Sequence, residues 1–374
     1  MADVAIAGAG PAGTTLAILL GRRGLSVDVF DTHRFPREKP CGEGIMPAGV
    51  AVLVRMGVVD AVGGRRLPAV RYHGFGGTAE SGFPAVDGAA PPAMLAQRRL
   101  RLDDALVAAA RATPGVRVFE DAPVDGAVVE GGRAVGLRVG GDVRRAALVV
   151  GADGLGSRVR RSLGLDGRAR RGRAGIRAHF RLAAGRPAPT RLEIFLGARR
   201  ELYVAALPDG EVLVAALCAG GAFEGHARAS LTRWIEEEPE LRALLDGAER
   251  LTDVAGRAPV AGRARAGFAP GAVLLGDAAS ATDPLTAGGI AHALVTAERL
   301  AAHVPDAFAR GERALDDALA RFDRERRRLL RAHGWLTRGL LALVARPALA
   351  RATLAFMRAQ PRVMKRLLGV AAGI

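Results

Sequence analysis

Within its first 31 residues the chain writes a strand, a glycine-rich turn, a helix and a second strand, in that order. Residues 3–7 form a short apolar run, and Gly8-Ala9-Gly10-Pro11-Ala12-Gly13 turns into residues 14–23, where Leu16, Leu19 and Leu20 share one helical face. Gly24 ends that helix, and residues 25–30 read as a second strand stopping at Asp31. The spacing has a physical reading. Gly8 permits the tight turn, Gly10 lets backbone approach a pyrophosphate, and Gly13 allows close helix–strand packing, while the helix N-terminus supplies free N–H groups and partial positive charge. Asp31, 23 residues after Gly8, can accept hydrogen bonds from a ribose hydroxyl. The pattern predicts an adenine dinucleotide site without distinguishing FAD from NAD.

Two later strand-to-loop sites bear on that choice. Residues 148–150 run into Gly151-Ala152-Asp153-Gly154, and residues 272–275 run into Gly276-Asp277, followed by Asp283-Pro284 and by Gly288-Gly289 ahead of a helix over about 290–303. An acid at a strand end can bind sugar or polyol hydroxyls, and paired glycines let a helix N-terminus approach a ring that becomes anionic on reduction. That arrangement suits flavin.

In these three ordered motifs, from about residue 3 to residue 305, the chain resembles the FAD-dependent monooxygenases of the aromatic hydroxylase type, together with geranylgeranyl reductases and flavin halogenases. The resemblance implies an α/β fold: a Rossmann-like FAD-binding domain with an inserted antiparallel β-sheet substrate domain and a C-terminal helical extension. It assigns Asp31 to the adenosine ribose, Asp277 to the ribityl chain, and Gly288-Gly289 to the flavin pyrimidine edge. Asp153-Gly154 falls near the pyrophosphate, where NAD(P)H can also pass. Arg99 matches a flavin-contacting arginine, with Arg98 one residue away as its rival. Gly8, Gly10, Pro11, Ala12, Gly13, Arg37, Val124, Gly276, Pro284 and Ile290 complete the implied cofactor set.

In the resembled family the stretch from Arg34 to Pro47 runs beside the flavin, and its Cys41-Gly42-Glu43-Gly44 looks most like bacterial proteins grouped with geranylgeranyl reductases. Arg37 or Lys39 can offset negative charge on FAD. Cys41 has no neighbouring histidine in sequence to form a thiolate pair and reads as a packed loop side chain. Glu43 is a proton donor or a loop hydrogen bonder. Residues 174–182, 191–196, 201–207 and 211–217 alternate like strands, a Pro208-Asp209-Gly210 turn joins the last two, and with residues 69–83 they predict the sheet that roofs the flavin. The substrate pocket is expected between that sheet and the flavin ring, with His179 and Tyr203 as candidate contacts. The catalytic candidates are therefore Arg37, Cys41, Glu43, His179 and Tyr203.

Two departures from the family matter. Reductases and halogenases often carry Tyr-x-Trp-x-x-Pro at this hairpin, whereas this chain reads Tyr203-Val204-Ala205-Ala206-Leu207-Pro208 and lacks the tryptophan. The halogenase lysine has no counterpart, since Lys39 precedes the cysteine loop and Lys365 lies far downstream. The expectation is a single-component FAD-dependent monooxygenase of secondary metabolism, using NAD(P)H and O2 to hydroxylate or epoxidise an apolar aromatic, quinone-like or isoprenoid molecule. The alternative is a geranylgeranyl-reductase-like alkene reductase, with halogenation a minor third. The cofactor carries such chemistry, so no catalytic triad is required. The seven histidines show no metal-type spacing, and no metal is expected.

Charge gives a different kind of information. The 374 residues hold 54 basic and 38 acidic side chains, a net +16, and lysine occurs only at positions 39 and 365. Such a surplus suits nucleic acid, an acidic membrane surface or anionic small molecules. With 4% aromatic residues and no RNP, KH or helix-turn-helix signature, a non-enzymatic nucleic-acid binder has little support. Residues 335–368 mix Leu, Ala, Met and Phe with regularly spaced Arg, a pattern that caps the catalytic domains or lies on anionic lipid, and the cap is the preferred reading. Cys41 and Cys218 form neither a disulfide framework nor a zinc site, and no signal peptide or spanning helix is visible, so the expected location is cytoplasmic, with peripheral contact at the inner membrane face as an option. The predicted domains are 1–68, 98–172 and 256–305 for FAD, 69–97 and 173–255 for the sheet, and 306–374 for the C-terminal helices.

Overall fold

The computed structural model describes residues 1–86, 90–167, 172–197, 200–219 and 226–374. Five parallel strands form the centre of the first sheet: Ala272–Leu274, Asp142–Gly151, Ala2–Ala7, Val27–Phe30 and Val116–Phe119, side by side in that order. Apart from exposed Val143 and half-buried Val118, their Val and Leu side chains are buried on both faces, as parallel strands covered by helices require. The helix Pro11–Gly21 begins with Pro at its first turn, where a missing N–H costs nothing. Its one apolar face was the expectation; in the structure nearly every residue is buried, because the sheet and the helices Arg99–Arg111 and Gly289–Ala309 enclose it. The strands Val124–Glu130 and Arg133–Val139 extend Asp142–Gly151 as an antiparallel meander.

The second sheet orders Glu249–Arg250, Ala174–Arg181, Glu211–Cys218, Arg200–Ala206, Leu192–Leu196, Ala69–Gly74 and Gly77–Gly82. It is antiparallel apart from one pair, Leu192–Leu196 with Ala69–Gly74, which runs parallel. Those two strands are more than a hundred residues apart, so no hairpin fixes their relative direction. The turn at Pro208–Gly210 joins its two strands as expected, with Asp209 in the left-handed region. A small third sheet pairs Met94–Ala96 with both Gly44–Ile45 and Arg65–Leu67, tying the cysteine loop to the segment that leads into Arg99.

The helix expected over about 290–303 runs from Gly289 to Ala309 with Pro305 inside it. The carbonyl that Pro305 cannot bond, that of Ala301, accepts Arg23 Nη1 at 3.0 Å, which is how the helix continues. Three further helices follow: Glu312–Val344, Pro347–Ala359 and Pro361–Ala372. Pro347 and Pro361 each break the preceding helix and start the next. The last two pack on Gly77–Gly82 and so cover the exposed edge of the roof sheet.

Candidate functional site

The parallel strands deliver Gly8, Asp31, Gly151 and Leu274 to one end of the sheet, where ligands of open α/β folds collect. Gly8 has φ +101°, and a Cβ there would stand 2.5 Å from Ala152 O; a Cβ on Gly13 would stand 2.0 Å from Gly8 O. Strand, turn and helix therefore close at backbone contact. Gly10 is different. A Cβ there would find nothing nearer than Arg37 Nη2 at 3.9 Å and Arg99 Nη2 at 4.0 Å, so the turn opens a space bounded by two guanidinium groups.

Asp103 joins those two groups, and Asp31 Oδ2 also lies 3.8 Å from Arg37 Nη2. Asp103, fully buried, accepts Arg99 Nε at 2.8 Å and Nη2 at 2.7 Å, and Arg37 Nη1 lies 3.2 Å away. Burial works against the charge on Arg99, but Asp103 and the neighbouring Cys41 sulfur hold its pKa above the ordinary value. Arg37 stacks over Phe35 at 4.8 Å and keeps a buried Nε without a partner. Burial, reinforced by Arg99 and Arg37, lowers the pKa of Lys39, which Asp277 and Asp103 partly offset. Three cations against Asp103, with an orphaned N–H and an open glycine wall, form a donor set that fits a dianionic pyrophosphate. The residues fit FAD.

Asp31 organises the turn: Oδ2 accepts Ala9 N at 2.8 Å and Oδ1 accepts His33 N at 3.0 Å, leaving lone pairs for a ribose. Gly10, Pro11, Ala12, Arg99, Gly154, Gly276, Asp277, Pro284, Gly289 and Ile290 line one cavity of about 1480 Å³, open to solvent. Among the described residues no side-chain hydrogen bond occupies the Asp277 carboxylate. Asp153 turns Oδ2 to the amides of Arg158 and Val159 and leaves Oδ1 buried and unpartnered. Gly288 sits behind the wall, where a Cβ would stand 2.5 Å from His333 Cε1. Val124 lies in the core at the start of its strand, outside the lining. Arg98, the neighbour of Arg99, turns away to Glu38 and Glu211.

The catalytic candidates divide between the cavity and the wall behind it. Cys41 lines the cavity, and its sulfur accepts Glu43 N at 3.4 Å. Glu43 and His179 meet each other: His179 Nε2 lies 2.8 Å from Glu43 Oε2, and Glu43 Oε1 accepts Arg99 N at 3.0 Å. Thr252 Oγ1 closes the chain at 3.1 Å from His179 Nδ1. Tyr203 lines the cavity and donates its hydroxyl to Leu285 O at 3.1 Å; burial raises its pKa well above the ordinary value. Next to it Arg173 bridges Glu201 and Asp283, and burial pushes Glu201 up to about 7.

Two features escaped sequence reasoning. Arg177, 3% exposed, lines the cavity and pairs with Glu38. It lies two residues before His179 on the same strand face, and that polar alternation in an otherwise apolar strand was the available signal. The second is an aliphatic chamber, partly open to solvent, between the roof sheet and the C-terminal helices; its envelope of about 930 Å³ includes that open space, and it is lined among others by Ile194, Leu196, Leu340, Leu343, Leu354 and Met357. It shares Leu192 and Ala287 with the larger cavity. Tyr72 also faces it, with burial pushing its pKa up to about 12.

A glycine-rich cradle for a dinucleotide pyrophosphate beneath a β-sheet roof defines a flavoprotein of the two-domain α/β type. The profile of the FAD binding domain family matches residues 1–333, and the chain belongs to that family as an FAD-dependent oxidoreductase. It is 30% identical over 331 residues to a digeranylgeranylglycerophospholipid reductase of Methanothrix thermoacetophila, covering 85% of this chain and 81% of that protein. A menaquinone reductase of Mycolicibacterium smegmatis is 37% identical over 179 residues, which span 44% of this chain and only 40% of that protein. A 6-methylpretetramide 4-monooxygenase of Streptomyces rimosus is 34% identical over 173 residues, 44% of this chain and 41% of the relative. The fold matches a flavoprotein/dehydrogenase of Cytophaga hutchinsonii with TM-score 0.84 at 21% identity, over 99% of this chain and 92% of the other.

Proposed function

We propose that the chain uses FAD, reduced by NAD(P)H, to saturate a carbon–carbon double bond in an elongated apolar substrate of isoprenoid type. The observation that carries this reading is the aliphatic chamber adjoining the flavin cavity at Leu192 and Ala287. An extended hydrocarbon held there reaches the cavity with one end, and each buried CH2 contributes about 0.8 kcal/mol of binding. The 30% identical reductase relative supports the same reaction class.

FAD supplies hydride to the alkene when bound. The protein's part is to hold, orient and shield. Arg37, Arg99 and Lys39 would balance the pyrophosphate over Gly8, Gly10, Pro11, Ala12 and Gly13; Asp31 would take the ribose, Asp277 the ribityl chain, and Gly289 and Ile290 the pyrimidine edge. In this reading segments 1–68, 98–172 and 256–305 hold the cofactor, 69–97 and 173–255 roof it, and 306–374 supply the chamber. Ala215, Leu217 and Leu192 line the roof and exclude water. The second alkene carbon needs a proton. Three uncharged X–H side chains line the cavity among the described residues, Cys41, Tyr203 and Thr282; the Tyr203 hydroxyl already serves Leu285 O, and of the other two the thiol is the stronger acid, so the proton is assigned to Cys41. Glu43 borders the cavity with its carboxylate turned to His179 behind the wall, and the two position that loop.

Oxygen insertion with O2 is the second reading. It is favoured by the monooxygenase relative. Product mass separates the two: saturation adds two hydrogens under strict anaerobiosis, whereas oxygenation requires O2 and adds an oxygen atom.

A further inference from the structure

Residues 326–374 contain eleven basic side chains and no aspartate or glutamate. They account for most of the net charge of the whole chain. Among the described residues the last basic side chain paired with an acid is Arg327, with Asp323. The same segment exposes large apolar groups: Trp335 is 67% exposed, Phe356 52% and Leu349 43%.

These groups are ordered by helix geometry. On Glu312–Val344, Arg331, Trp335 and Arg338 follow at spacings of four and three and share the outward face, with Arg338 stacked over the Trp335 ring at 4.6 Å. On Pro347–Ala359, Leu349 and Phe356 form one flank and Arg351 and Arg358 the other, with exposed alanines between. The opposite faces of both helices, through Leu340, Leu343, Leu354 and Met357, line the aliphatic chamber. Each helix is thus apolar inward and mixed cationic and apolar outward.

We propose that this outward surface docks the protein on an anionic lipid bilayer. Acid-free basic charge supplies attraction to anionic headgroups, and Trp335, Phe356 and Leu349 supply groups that insert at the interface. A nucleic acid satisfies the arginines but offers Phe356 and Leu349 no apolar phase to enter. Docking brings the chamber, one helix thickness inside this surface, to the membrane face, so that a lipid-soluble substrate need not cross water. The docking itself is independent of which reaction the flavin performs.

The test uses FAD-loaded full-length protein in flotation with vesicles of phosphatidylcholine alone and of phosphatidylcholine with one-third phosphatidylglycerol. The protein floats with the anionic vesicles, not with the neutral ones, and is released by high salt. Trp335 emission shifts to the blue, a signal that buried Trp234 does not give. Each basic residue near an anionic surface is worth about fivefold in partitioning, so Arg351→Glu with Arg358→Glu lowers binding by roughly twentyfold or more. Phe356→Ser weakens binding with all charges retained. FAD absorbance verifies that each variant is folded. Failure to float with anionic vesicles overturns the proposal. So does binding to a DNA duplex as tight as to vesicles and insensitive to Phe356→Ser, which would make the surface a general polyanion site.

Discussion

His179 Nε2 stands 2.8 Å from Glu43 Oε2, and solvent reaches neither side chain. This contact joins the roof sheet to the cysteine loop, and through Glu43 Oε1 it also fixes the amide of Arg99. One buried pair thereby holds three segments that meet around the cofactor cradle. Glu43 itself has φ +56°, a conformation the pair helps to maintain.

Removing His179 leaves Glu43 Oε2 buried without its partner, while Oε1 keeps the amide of Arg99. His179→Ala is expected to destabilise the protein by roughly 1–3 kcal/mol and to lower FAD occupancy, because Glu43, and with it the Arg99 amide, is held less firmly. Urea unfolding and the flavin-to-protein absorbance ratio measure both. An unchanged midpoint with full occupancy would contradict this role.

Glu201 gives the protein a pH dependence of definite sign. Its folded pKa of about 7 lies above the ordinary 4.5, so the folded state binds the extra proton between these values. The contribution is present below pH 4.5 and is lost as pH rises through 7. Arg173 keeps Asp283 as a partner at 3.3 Å when Glu201 is protonated. Between pH 5 and pH 8 the stability of the parent relative to Glu201→Gln should fall by roughly 2–3 kcal/mol. Parallel stability–pH curves for the two proteins would exclude the effect.

The two adjacent arginines should separate cleanly. Arg99→Met strips a buried carboxylate of its main partner and removes a cation from the cradle, weakening FAD binding by roughly a hundredfold. Arg98→Met breaks contacts to Glu38 and Glu211 away from the cradle and should change FAD affinity by no more than about threefold. Flavin fluorescence titration of both apoproteins provides the comparison.

Chamber volume should act on substrate length rather than on the flavin. Leu354→Trp fills part of the chamber from the helix side. FAD binding and NAD(P)H-driven flavin reduction stay at parent rates, while kcat/KM for a long polyprenyl substrate falls by roughly tenfold or more and that for a short prenyl analogue changes little. Equal losses for both lengths would place the hydrocarbon elsewhere.

The cofactor half of the molecule was legible because its signals are local. Gly8 to Gly13, the acids at strand ends and the hairpin at Pro208–Gly210 are short patterns whose spacing carries their geometry. Choosing Arg99 over Arg98 required the structure, since both flank a helix start and only packing shows which one meets Asp103. Glu43 and His179 were each singled out, but 136 residues separate them and nothing local couples a loop acid to a strand histidine. The chamber was beyond reach for the same reason. Its walls come from two strands of the roof and three C-terminal helices, whose leucines read in sequence as ordinary amphipathic faces.

In the proposed reaction, reduced flavin would deliver its electrons to an alkene held at the mouth of the chamber. The most direct measurement reduces the enzyme-bound FAD anaerobically, mixes it with a polyprenyl substrate and follows flavin reoxidation together with product mass. The predicted result is substrate-dependent reoxidation without O2 and a product heavier by two hydrogens. Flavin that stays reduced until O2 is admitted, with a product heavier by one oxygen atom, would contradict the account and establish the monooxygenase instead.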